Sequence, residues 1–197
     1  MRKLLVVSVL LMMIWVLAVA AAYGQGRDTF TGNVRQYGSG GYTGLRTANF
    51  TLTIKGWTPA AQAQGDLELL RTGGQDALLT SIRNEDLGSF SLNNNLARTI
   101  NAVIEQDSGG QRKIWAVFER WEQFAEVRGG YRSLDYPFGY IELTIDPATG
   151  KGSGKYFAAA KIRWVNGKKG EAPHVEVEDY ATFPAELVNV RSDRLKP

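Results

Sequence analysis

The chain has no cysteine and a single histidine, His174, among 197 residues. These two scarcities remove whole classes of chemistry. Without a thiol there is no cysteine nucleophile, no disulfide, no thiolate metal site and no lipid attached through an N-terminal cysteine. With one histidine, a zinc site built on two imidazoles is excluded, and neither HExxH nor GxSxG occurs. His174 follows Pro173 at the head of a strand pattern, and its spacing supplies no partners for a catalytic triad. It reads as an exposed edge residue.

An excess of one charge is also lacking. There are 23 Lys+Arg against 20 Asp+Glu, and Arg2 and Lys3 belong to an N-terminal leader pattern. The balance beyond that leader is nearly even, so no nucleic-acid footprint is expected, since that needs clustered positive charge. The glycine-rich stretches do not supply a cofactor site either. "GSGGYTG" misses G-x-G-x-x-G by one residue and lies between two strand patterns, so it reads as a hairpin loop. "TGKGSGK" lacks the phosphate-loop spacing. No cofactor and no metal are expected.

Only one long apolar run is present. Leu4–Ala22 follows Arg2 and Lys3 and ends in overlapping A-x-A patterns, which implies a signal peptide over residues 1–22, cut between about 20 and 25. The alternative is a retained anchor, because nineteen residues with one serine nearly suffice to span a bilayer. Residues 23–197 then form a single β-rich domain. Oligomeric state is not legible.

The remaining pattern is mostly of period two. Residues 29–37 and 48–56 read as strands, with Phe50, Leu52 and Ile54 on one face. Between Thr58 and Asn84 the period becomes helical. Thr58 is the expected cap, Ala60, Ala63, Leu67 and Leu70 the inward stripe, and Gly73-Gly74 the break before a second short helix with Leu78, Leu79 and Ile82 inward. Strands return at 89–92, at 96–105 and from Arg112. The run "KIWAVFERW" fits either an amphipathic helix or a central strand apolar on both faces. The preferred reading is strand to about Glu119, then a helical turn to Val127, with Phe118 or Trp121 in the core.

Residues 140–145, 155–165 and 174–183 read as a meander whose charges specify their own register. Glu142 should face Lys155, Lys161 should face Glu178, and Arg163 should face Glu176. The expected fold is therefore α+β and predominantly antiparallel β. It is a curved sheet or partly open β-barrel of about eight strands, with a helical pair inserted after the second strand.

For function, carboxylates around Glu119, Glu122, Glu126 and Asp135 could form an acid–base pair, but neighbouring arginines favour ion pairs there. The loop "EVRGGYRSLDYPFGY" and the aromatic run before it offer planar and donor groups. Arg120, Trp121, Arg128, Tyr131, Arg132, Asp135 and Tyr136 are the candidate ligand-binding residues. The favoured expectation is an exported non-enzymatic binding protein for a small apolar or aromatic ligand. The alternatives are an exported carboxylate-dependent hydrolase and an envelope protein acting only through surface interactions. A membrane partner is expected only if the N-terminal segment is retained.

Overall fold

The structure, a computed structural model, describes residues 26–36, 46–121, 124–167, 172–181 and 183–194, with side chains excepted at 124–126 and 132. The leader pattern, the "GSGGYTG" loop, Glu122 and the Glu126 side chain lie outside the described residues.

Ten antiparallel strands are present among the described residues, two more than the sequence suggests. They are β1 (Asp28–Gln36), β2 (Arg46–Ile54), β3 (Gly88–Leu92), β4 (Arg98–Ile100), β5 (Ala102–Ser108), β6 (Gln111–Glu119), β7 (Phe138–Ile145), β8 (Lys151–Val165), β9 (His174–Asp179) and β10 (Ala185–Ser192). Nine follow one path, β4-β3-β2-β1-β10-β8-β7-β6-β5, and β9 pairs with the far half of β8. The two ends of that path are consecutive in the chain. What the sequence suggests as one strand over 96–105 is divided at Asn101, its first part pairing with β3 and its second with β6.

Asn101 makes this seam possible because it spends its backbone N–H and its whole side-chain amide on it. Its backbone N–H donates to Val117 O (2.9 Å), and its Oδ1 accepts from Glu119 N (2.9 Å). Its Nδ2 donates to the carbonyls of Arg83 (3.1 Å) and Glu85 (2.9 Å). A buried amide with all its groups satisfied fixes one geometry. The sheet is therefore a nearly closed barrel.

Buried apolar side chains line the interior. On β6, Ile114, Ala116 and Phe118 point inward, and Ile141, Leu143 and Ile145 do so on β7. Phe50, Phe90 and Phe118 meet at 5.9–6.1 Å between ring centroids. Phe118 fits because Gly139 opposes it: a Cβ there would stand 2.2 Å from the ring. Ions close one end of the barrel. Arg112 Nη2 reaches Asp28 Oδ2 at 3.0 Å and Nε reaches Glu105 Oε1 at 2.6 Å, while Ser192 Oγ donates to Asp28 Oδ1 at 2.9 Å.

The meander register agrees with the charge argument: Glu142 faces Lys155, Lys161 faces Glu178, and Arg163 faces Glu176. Arg163 lies 3.2 Å from Glu176 and 3.1 Å from Glu178. Residues 111–119 are strand, and a short helix α2 (Phe124–Gly129) follows.

The helical insertion differs from expectation. Its two helical stretches run on as one element, α1 (Ala60–Ile82), and meet at Gly74, the one non-helical residue within it (φ 74°, ψ −168°). Ser81 Oγ donates to Asp66 Oδ1 at 2.8 Å across that point. Fifteen residues of straight helix would separate those positions by about 22 Å. The element is thus folded over on itself, and glycine permits the positive φ that does this. Nor does Thr58 cap the helix. Pro59 holds that position, and Thr58 Oγ1 accepts from Val103 N (2.9 Å), tying the start of α1 to β5.

Candidate functional site

Strands that are apolar on both faces need cover on the outside as well as a core within. Trp115 and Val117 of β6, Phe138 and Tyr140 of β7, Ile162 of β8 and Val177 of β9 are such outward residues. Folded α1 lies over them, seating Leu70, Leu78, Leu79 and Ile82 against this outer face as a second core. The fit is incomplete. Between α1 and the sheet a cavity of about 350 Å³ remains, within the size range of small-molecule sites.

Its walls are almost wholly apolar, among them Leu70, Leu78, Trp115, Val117 and Ile162. At the rim, Leu67, Ile104 and Val175 are 38–41% exposed. Three polar side chains reach it: Thr58, Tyr140 and Asp66. Burial pushes the Tyr140 phenol well above its ordinary value, with Glu142 adding to the rise. Tyr140 also packs edge-on to Phe157 at 5.3 Å.

Asp66 is the unexpected member. The anticipated stripe ran through Ala63, Leu67 and Leu70, but Leu67 is half-exposed while Asp66 is buried at 8% exposure. The helix face turned toward the sheet is Ala63–Asp66–Leu70, one residue around from the purely apolar face. The spacings of three and four were readable in the sequence. The reason for choosing this face, the Ser81 hydroxyl brought over by the fold at Gly74, was not.

The candidate residues around the aromatic run are placed at the opposite end of the barrel from Asp28, on the β6–β7 connection. They do not form one cluster. Arg120 fastens the loop, its Nε donating to Tyr136 O (2.6 Å) and its Nη2 to Ser133 O (2.7 Å). Tyr136 is buried, donates its hydroxyl to Glu178 Oε1, and meets the Tyr180 ring edge-on at 5.3 Å. Asp135 is exposed and its carbonyl accepts from Gln75 Nε2 (3.0 Å). Arg128 and Tyr131 are exposed, and Arg132 opens a 3-10 turn (Arg132–Asp135). Glu119 is paired with Arg83 at 2.9 Å.

Trp121 corrects the sequence reading. Phe118 is core, but Trp121 is 55% exposed. It follows the end of β6 at Glu119 and precedes α2 at Phe124, so neither periodicity turns it inward. Its ring covers Arg98, whose Cζ lies 3.5 Å from the ring centroid. Arg98 Nη1 is buried without a hydrogen-bond partner among the described residues, and burial lowers the pKa of its guanidinium. Tyr156 packs against Phe90 in a tilted arrangement at 5.0 Å between ring centroids. Burial pushes the Tyr156 phenol up to about 12, against the opposing pull of Arg98. Arg98 carried no sequence signal, because three asparagines and an exposed Leu96 precede it.

No family model, no curated protein and no solved structure matches this chain.

Proposed function

We propose that this is an exported, non-enzymatic binding protein that holds a small apolar ligand between α1 and the outer face of the barrel. The leader pattern of Arg2, Lys3 and Leu4–Ala22 supports export, with cleavage between about 20 and 25. The observation that carries the binding reading is the cavity of about 350 Å³ and its aliphatic and aromatic walls. The barrel interior is lined by buried side chains of its own, which favours the outer cavity as the binding space. The half-exposed rim of Leu67, Ile104 and Val175 supplies an entrance without opening the core.

The test is calorimetric titration with n-octanol, in the parent protein and in Ala63→Trp, whose indole would occupy the cavity. The parent should bind saturably, and the variant should lose that binding while keeping its melting transition. Equal affinity in both proteins, or no binding by the parent, would overturn the reading.

A further inference from the structure

The cavity has one charged group in its lining, Asp66. Its residue exposure is 8%, and its one side-chain hydrogen bond among the described residues is the 2.8 Å contact from Ser81 Oγ to Oδ1. No lysine or arginine among the described residues lies within ion-pair reach of it. This is unlike the other buried carboxylate, Asp28, which has Arg112 at 3.0 Å, Arg194 at 3.7 Å and Ser192 Oγ at 2.9 Å. A carboxylate withdrawn from water without a cation loses hydration that a single hydroxyl does not restore. Purely as a latch between the halves of α1, an amide would serve equally well, since only Oδ1 is engaged.

We infer that the ligand is an amphiphilic amine, its ammonium held by Asp66 and its hydrocarbon part lying against the apolar walls. This rests on the cavity being the binding space, and adds the chemistry of its ligand. A charge-assisted hydrogen bond in an apolar site is stronger than a neutral one. The ammonium offers three donors, so it can engage Asp66 Oδ2 while Ser81 keeps Oδ1. The aromatic walls Trp115 and Tyr140 tolerate a cation better than aliphatic ones do. A carboxylate ligand would instead meet Asp66 as a like charge.

The experiment compares three eight-carbon probes by calorimetry at neutral pH: n-octylamine, n-octanol and octanoate. Octylamine should bind the parent about tenfold more tightly than octanol, the step that roughly one charge-assisted hydrogen bond supplies. Octanoate should bind most weakly. Asp66→Asn keeps a carbonyl for Ser81 and should erase the preference for the amine over octanol. The three-probe comparison needs only the parent protein, so it stands even if the variant folds poorly. Octanol binding with no amine preference would overturn the inference and leave the cavity reading intact. An amine preference that survives in Asp66→Asn would overturn the role given to Asp66. Failure of the parent to bind octanol would overturn the cavity reading and, with it, this inference.

Discussion

The guanidinium carbon of Arg98 stands 3.5 Å from the centroid of the Trp121 ring, and the ring is more than half exposed. Trp121 is thus a cover over a partly buried cation and not a core side chain. Trp121→Ala should lower stability by only about 0.5–1 kcal/mol, the range for an exposed cation–π contact. Water admitted to Arg98 Nη1 offsets part of that loss. Urea denaturation measures it, and a loss of about 3–5 kcal/mol, the range for a buried large aromatic, would return Trp121 to the core.

At the other end of the barrel, Arg112 holds two carboxylates, Asp28 and Glu105, with only 8% of its own surface exposed. Removing Arg112 takes this cation from Glu105 and leaves buried Asp28 with only the more distant Arg194 at 3.7 Å and the Ser192 hydroxyl. Arg112→Ala should therefore cost about 3–5 kcal/mol. Arg112→Lys should recover a minor part, because a single ammonium cannot reproduce a fork that reaches both acids. The comparison by chemical denaturation fails the argument if Ala and Lys are equally close to the parent.

Stability should also fall in alkali. Burial raises the Tyr156 phenol from 10.0 to about 12, and Tyr140 is pushed up as well. Below about pH 10 both phenols are protonated in folded and unfolded chains alike, so the full stability is present. Above it the unfolded chain loses its phenolic protons first, and stability falls as pH rises through the folded value. For Tyr156 alone the gap corresponds to about 2–3 kcal/mol by pH 12. The double variant Tyr140→Phe/Tyr156→Phe should show a shallower decline in unfolding free energy between pH 9 and 12. Identical declines in the two proteins would disprove the burial argument for these phenols.

Local pattern determined what depends on neighbours along the chain. Alternation in Phe50–Leu52–Ile54 and in 112–119 assigns strands, because side chains on a pleated strand repeat every two residues. The register of β7, β8 and β9 was legible for the same reason. Arg163 can face Glu176 and Glu178 in one alignment only, and a slip by one residue would set charges against Val175 and Val177. The lack of cysteine and the single histidine exclude thiol chemistry and a two-imidazole zinc site on sequence alone. The need for outer cover was readable too, in strands apolar on both faces.

Only the tertiary structure decided which surfaces meet. Closure of the barrel rests on Asn101 satisfying four partners from two parts of the chain, and no local pattern marks an asparagine for that role. The face that α1 turns inward depends on Ser81 arriving beside Asp66 after the chain reverses at Gly74. Trp121 escapes the core because one periodicity has ended before it and the next has not begun. The cavity exists because a helix folded on itself cannot fill the outer groove of a curved sheet, so its position follows from the packing of two elements and from no residue alone.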